Sequence, residues 1–485
     1  LSSFEGEGIN TGPHAWLHFV GAGGSGMSGL AQFHAQAGGL ATGSDRAFDQ
    51  GERREIRDGL EDLGVRITVQ DGGFVSLADR PCDAVVVSTA VEETVPDIAA
   101  ARKNGIPILH RSELLARYVA GHRTIAVSGT SGKSTVTAMV FAILRECGRQ
   151  PGLLTGGAVG ELVDAGHIGN AWAPGDPGDG SPLPYLVIEA DESDGSLVRY
   201  RPWCGIILNL GLDHKPPAEI MTMFQTFRNN VTGPLLVGSD ANLAELAASG
   251  PRTEIFGVTD DGRPGTWARD TVLGPEGSDF QVDGVAFALP VPGVYNVANA
   301  VAAIAACRNC DLGLEVISRA LAGFSGVSRR FQKVGAAAGV TVIDDFAHNP
   351  DKIAAAMGAA RRFVEGREGR ILAVFQPHGF GPTRFLREAL VTTFIQSLGS
   401  GDVLWMPEIY FAGGTVTRDI SAGDLINEIR SGGRDARFEA RRTDLPALIA
   451  TEARAGDLVL VMGARDPSLT EFCRIILKEM EKKES

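Results

Sequence analysis

Short apolar runs alternate with longer stretches of helical period from one end of the chain to the other. This is the pattern left by parallel strands joined through crossover helices. It predicts strands at Leu17–Val20, Thr124–Ser128, Tyr185–Glu189, Cys204–Leu208, Val342–Asp345, Ile371–Phe375 and Asp457–Met462, and a buried helix over Val136–Leu144. The fold class is α/β. Each predicted strand runs into a loop carrying polar residues or glycine, which is where such sheets bind ligands. Breaks in the pattern at Ala120–Arg123 and Gly323–Ser328 divide the chain into domains over residues 1–121, 122–327 and 328–485. Ala173–Pro184 is rich in Pro, Gly and Asp and reads as a surface loop, whereas Thr253–Pro290 reads as short antiparallel strands with turns. There is no internal repeat.

Length agrees with several domains, because 485 residues exceed the roughly 250–300 that one core supports. Charged residues make up 21% and hydrophobic ones 44%, enough apolar surface for folded domains. A net charge of −14 argues against nucleic acid or an anionic membrane as the main partner, so any phosphate site must be local. The six cysteines include one close pair, Cys307 and Cys310, with no second CxxC to complete a zinc site. They read as reduced thiols of a cytoplasmic protein. No apolar run approaches the roughly 18–20 residues of a membrane span, and Leu1–Pro13 carries no export signal. A monomer or homodimer is expected.

Gly129-Thr130-Ser131-Gly132-Lys133-Ser134-Thr135 lies between a predicted strand and a predicted helix. Glycines there let backbone N–H groups converge on phosphate oxygens, and the helix N-terminus adds partial positive charge. Lys133 can neutralise the terminal phosphates of ATP, and Ser134 or Thr135 can place a hydroxyl on Mg²⁺. Magnesium bound to phosphates also needs a protein carboxylate at a neighbouring strand end. Glu189 fits, opening an acidic run that continues through Asp191, Glu192 and Asp194. His214, beyond Cys204–Leu208, is a candidate second metal or acyl-phosphate contact.

A second glycine loop, Gly21, Gly23, Gly24, Ser25, Gly26 and Met27, follows the first predicted strand, with Ser44 and Asp45 after the next. By itself this pattern fits a dinucleotide, Asp45 meeting a ribose. The other reading of the pattern by itself is a structural turn.

Taken in order, HFVGAGGSGMSGLA from His18, GTSGKST from Gly129, EADESD from Glu189, Asp213-His214, GVYNVANA from Gly293, GVSRRFQ from Gly326, DDFAHNP from Asp344 and FQPH from Phe375 resemble the Mur ligase family over nearly the whole chain. Within that family the similarity is greatest to the UDP-N-acetylmuramate:L-alanine ligases. The resemblance implies a Rossmann-like UDP-binding domain, a central ATPase and a Rossmann-like C-terminal domain that closes over the nucleotide. It implies ATP and Mg²⁺ as cofactors, with a UDP-N-acetylmuramate-type sugar nucleotide and an amino acid as partners. ATP would phosphorylate the sugar's carboxylate, and the amine would attack the acyl phosphate, in peptidoglycan synthesis. By motif position, Lys133 would hold the terminal phosphates and Glu189 and His214 would contact magnesium. Asn296, Asn299, Arg330 and Asp345 would complete the ATP site.

Departures from the family pattern fall mostly in the third domain. Gly379-Phe-Gly-Pro382 replaces most of an arginine-bearing stretch after His378, leaving Thr383-Arg384; Asn349 stands after His348 where a second His is usual, and Gly463-Ala-Arg465 replaces a glycine-rich loop. Ser131 and Tyr295 also stand where relatives carry His. His348, His378 and Arg384 are the expected amino-acid contacts, Arg384 through its guanidinium. No lysine occurs between Pro216 and Val237 to serve as a carbamoylated metal bridge. A murein tripeptide ligase is the alternative within the same chemistry. A nucleotide-dependent oxidoreductase would leave GTSGKST and EADESD unused.

Overall fold

The computed structural model describes residues 8–175, 183–211, 215–248, 250, 252–366, 369–411, 417–464 and 466–484. Three sheets with helices on their faces form the three-domain α/β fold, and the chain divides into two compact units. The first unit holds two of the sheets.

In that unit β1 (Trp16–Val20), β2 (Leu40–Ser44), β3 (Arg66–Thr68), β4 (Ala84–Val87) and β5 (Ile108–His110) form a parallel sheet of order β3-β2-β1-β4-β5. The order reverses beside β1, so its C-terminal end is the crevice where this topology binds ligands. The second sheet comprises β6 (Arg123–Ser128), β7 (Gly152–Leu154), β8 (Ala171–Trp172), β9 (Tyr185–Glu189), β10 (Cys204–Ile207), β11 (Leu235–Gly238), β12 (Thr253–Gly257) and β13 (Gly265–Trp267). Its order, β13-β12-β11-β10-β6-β9-β7-β8, puts β6 between β10 and β9, so the loops after all three open side by side.

Helix Ser25–Gln36 packs against strands of both sheets, which therefore share one apolar core containing Phe33, Leu154, Ala171, Leu186 and Ile188. Phe33 lies at its centre, 4.8 Å from the Tyr118 ring. Arg123 closes the far end of β6 by stacking on Trp203 at 3.9 Å.

The second unit contains an antiparallel sheet of β14 (Arg269–Leu273), β15 (Ser278–Val282) and β16 (Val285–Leu289). It also contains a sheet of β17 (Gln332–Ala337), β18 (Val340–Asp345), β19 (Ile371–Gln376), β20 (Val403–Met406), β21 (Ala436–Phe438) and β22 (Leu458–Gly463) in the order β17-β18-β22-β19-β20-β21. Only β17 is antiparallel there.

The predicted apolar runs all form strands. The segment Thr253–Pro290 corrects the expectation of a purely antiparallel region: β12 and β13 extend the large parallel sheet, and only β14–β16 are antiparallel. Residues 258–264 make a short parallel crossover between β12 and β13, where sequence reading expects a hairpin because parallel neighbours usually need a longer connection. All six cysteines are free, and five are buried. Among the described residues no helix is long and apolar enough to cross a membrane.

Because Phe33 belongs to a core common to two sheets, Phe33→Ala should cost about 3–5 kcal/mol and lower the urea midpoint of the whole first unit in one transition. Two separate transitions, with only one displaced, would contradict the shared core.

Candidate active site

The phosphate-type loop follows β6 and turns through Gly129 and Gly132, at φ of 138° and 85°, into helix Lys133–Glu146. A side chain at Gly132 would be strained by this φ and would also displace Asn299, since its Cβ would stand 2.4 Å from the Asn299 carboxamide oxygen. Asn299 therefore lies against the loop. Asn209, just past β10, clamps the same loop, accepting from Thr130 Oγ1 at 3.0 Å and Ser131 N–H at 2.9 Å while donating to the Ser131 carbonyl at 3.1 Å. Ser134 and Thr135 are buried in the first helical turn.

Lys133 Nζ donates to the Gly129 carbonyl at 2.8 Å and to Glu192 at 2.7 Å, with Asp191 3.4 Å away. Burial opposes the lysine's charge, yet Glu192, Asp191 and Glu189 outweigh it and hold its pKa above the ordinary value. Burial pushes Glu192 up to about 7 despite the ammonium beside it. Asp191, whose side chain is partly exposed, is held below the ordinary carboxylate range by Lys133 and by its bonds from Ser193, against the desolvation that would raise it.

Glu189 ends β9 next to the loop, and one of its oxygens is fixed three times. Oε2 accepts from Ser134 Oγ at 2.9 Å, Thr155 Oγ1 at 3.0 Å and Gly156 N–H at 2.9 Å. Its other oxygen, Oε1, takes no hydrogen bond among the described residues. A hydroxyl beside a carboxylate with an open oxygen is a hard-oxygen donor set that fits Mg²⁺ bridging phosphates. His214 lies outside the described residues.

The first glycine loop turns at Gly21, with φ of 80°, and Gly24 caps helix Ser25–Gln36, in which Met27 is buried. Asp45 holds this loop from inside by accepting the Gly23 N–H at 2.8 Å, while also capping its own helix through Ala47 N–H. Ser44 is fully buried and bonded to Asp97, which also meets His18 at 3.2 Å and accepts the Gly72 N–H at 2.8 Å. Arg111 covers the loop, since a Cβ on Gly26 would stand 2.6 Å from its guanidinium, and it pairs with Asp194. Thus Asp194 serves the first loop and Asp191 and Glu192 the second.

In the second unit, buried Asn296 donates to the Pro292 carbonyl at 2.7 Å. Asp345 accepts the N–H groups of Phe331 at 2.6 Å and Ala347 at 2.7 Å; burial pushes its pKa up to about 6 against the pull of Arg330. Arg330 stacks on Phe346, its guanidinium 4.7 Å from the ring centre. His348 and His378 meet edge to face at 5.4 Å, and His348 Nδ1 bonds the Phe346 carbonyl at 2.8 Å. Arg384 already has partners within this unit: it donates to the Thr417 carbonyl at 3.1 Å and pairs with Asp419.

Sequence reading missed Asn209, Thr155 and Arg111. Asn209 directly follows the predicted strand Cys204–Leu208, and that position at a strand end was the available signal. Thr155 and Arg111 carried none, because their roles depend on which distant strands become neighbours.

Comparison with known proteins bears on the whole chain. Residues 17–123 match the Mur ligase family catalytic domain, 127–307 the Mur ligase middle domain and 329–465 the Mur ligase glutamate ligase domain. The UDP-N-acetylmuramate–L-alanine ligase of Sorangium cellulosum is 35% identical over 464 residues, covering 93% of each chain. That of Streptomyces coelicolor is 35% identical over 481 residues, covering 96% of this chain and 97% of the relative. Among solved structures, the UDP-N-acetylmuramate-alanine ligase of Thermotoga maritima superposes with a TM-score of 0.75 at 25% identity, covering 97% of this chain and 99% of that one. A murein peptide ligase from Psychrobacter arcticus shares the fold with a TM-score of 0.67 at 23% identity, covering 96% and 99%. With relatives of this similarity spanning nearly all of both chains, the chain belongs to the Mur ligase family, the ATP-dependent ligases that form amide bonds.

Proposed function

We propose that the protein joins L-alanine to the carboxylate of UDP-N-acetylmuramate at the expense of ATP, in the cytoplasmic stage of peptidoglycan synthesis. The observation that carries the reading is the convergence of Lys133, Ser134 and Glu189 on one phosphate loop, beside a separate glycine loop in the same unit. Two phosphate-bearing ligands need two such loops. Relatives named for this reaction support the choice of substrates.

The sugar's carboxylate oxygen attacks the γ-phosphorus of ATP, and the bond to the bridging oxygen breaks to release ADP. The amino group, having given up its proton, then attacks the acyl carbon; phosphate leaves and the amide remains. Lys133 neutralises charge on the terminal phosphates, and the loop amides with the N-terminus of helix Lys133–Glu146 bind them. Magnesium, when held by Ser134 and Glu189, supplies further charge neutralisation on the transferring group. Asn209 keeps the loop in its phosphate-binding shape. Asn296, Asn299, Arg330 and Asp345 are assigned to the nucleotide, and His348 and His378 to the amino acid, by motif position. The first glycine loop takes the UDP diphosphate, with Arg111 as an added cation.

Phosphate release should require ATP, divalent metal, UDP-N-acetylmuramate and L-alanine together, each omitted in turn. Release without a sugar nucleotide, or reduction of NAD, would overturn the assignment. Joining of a murein tripeptide in place of L-alanine would move it to the recycling ligase, a reading that the altered Gly379–Pro382 segment keeps open.

Lys133→Ala should lower kcat by 10²–10³-fold or more while leaving UDP-sugar affinity nearly unchanged. Near wild-type turnover in that variant would remove the phosphate loop from the mechanism.

Glu192 competes with ATP for Lys133, and its pKa near 7 makes that competition depend on pH. As pH rises through about 7 the carboxylate gains its charge, so ATP should bind more weakly at about pH 8 than at about pH 6. Glu192→Gln should flatten this dependence and bind ATP at least as tightly at the higher pH. An unchanged slope in calorimetric titrations of the variant would exclude Glu192 as its source.

A further inference from the structure

Both glycine loops belong to one compact unit, and a chain of hydrogen bonds runs between them through a residue that neither loop contains. Asn170 immediately precedes β8 and is buried at 4% exposure. Its Nδ2 donates to the Ser25 carbonyl at 2.8 Å and to Ser28 Oγ at 3.1 Å, in the first turn of the helix that follows the first glycine loop. Its Oδ1 accepts from Gln32 Nε2 at 2.7 Å, one turn further along the same helix.

The other side of Asn170 faces the phosphate loop. Its backbone carbonyl accepts the Thr155 N–H at 3.0 Å, and Thr155 Oγ1 donates to the Glu189 oxygen that also accepts from Ser134. Both Nδ2 hydrogens are committed to the helix start, so the carboxamide cannot rotate without stranding a buried donor. Ser25, Asn170, Thr155 and the Glu189 carboxylate are thus joined in one hydrogen-bonded chain.

We propose that Asn170 is a positioning residue that couples occupancy of the sugar-nucleotide loop to the placement of Glu189, so that the UDP-sugar acid and ATP with magnesium strengthen each other's binding. The inference rests on the proposed function, since it takes the ligands of the two loops from that reading.

The test is the affinity for a fluorescent ATP analogue with magnesium, measured with and without saturating UDP-N-acetylmuramate and without amino acid. In the wild type the sugar nucleotide should tighten analogue binding on the order of fivefold or more. Asn170→Ala should bring that factor below about twofold while each ligand alone still binds. Gln32→Met, which loosens the carboxamide and leaves both loops untouched, should reduce the factor in the same direction and carries the test if Asn170→Ala does not fold. A staple that only stabilises the fold would lower the melting temperature of these variants and leave the factor at its wild-type value; that result, or no coupling in the wild type, would overturn the proposal. Wild-type turnover measured alongside separates the two readings: without turnover of UDP-N-acetylmuramate the proposed function falls and takes the coupling with it, whereas full turnover with unchanged coupling in both variants removes the coupling alone.

Discussion

One carboxylate oxygen, Oε2 of Glu189, accepts three hydrogen bonds, and the arrangement of the first unit follows from holding it still. Its three donors come from two places: the phosphate-loop helix through Ser134, and the segment after β7 through Thr155 and Gly156. A carboxylate fixed in this way keeps its second oxygen pointed in one direction, which is the property that a shared metal-phosphate site requires. The parallel order β10-β6-β9 makes the arrangement possible, because it sets Asn209, the glycine loop and Glu189 at three adjacent strand ends. Lys133 completes it from within the loop. Its ammonium, surrounded by Glu192 and Asp191, stays charged although nearly buried, so the cation is in place before any phosphate arrives.

The two glycine loops look alike in sequence and differ in what supports them. The first is held from behind by Asp45 and covered by Arg111, whose carboxylate partner Asp194 belongs to the acidic run after β9. The second is held by Asn209, a neutral clamp that brings no charge of its own to the loop. A single short acidic segment thus serves both loops. Four carboxylates can crowd into EADESD because each has donors or a cation: Glu189 two hydroxyls and an amide, Asp191 and Glu192 the shared lysine, and Asp194 the arginine.

Much of this was legible in the sequence, for a physical reason. Strands buried on both faces of a parallel sheet must be continuously apolar, so Thr124–Ser128, Tyr185–Glu189 and Ile371–Phe375 stood out, and their ends pointed to the loops. Lys133, Ser134 and Glu189 carry their chemistry in their side chains and in their spacing. What could not be read is set by pairing between distant segments. The two-residue strand β8 has no period to detect, yet it delivers Asn170 to a helix start 145 residues away. The β12–β13 crossover was misread because its glycine- and aspartate-rich connection has the composition of a hairpin turn. Arg384 looked like a carboxylate ligand because its motif said so, and only the fold revealed Asp419 beside it.

The central claim is that the phosphate loop activates a carboxylate carried by the ligand of the other loop, and the fate of oxygen tests it directly. UDP-N-acetylmuramate labelled with ¹⁸O in both carboxylate oxygens would be turned over with ATP, magnesium and L-alanine, and the inorganic phosphate analysed by mass spectrometry. An acyl phosphate intermediate places one labelled oxygen in each phosphate released and leaves the other in the amide. Unlabelled phosphate formed in step with amide would contradict the account, because the carboxylate would then never have received the phosphoryl group.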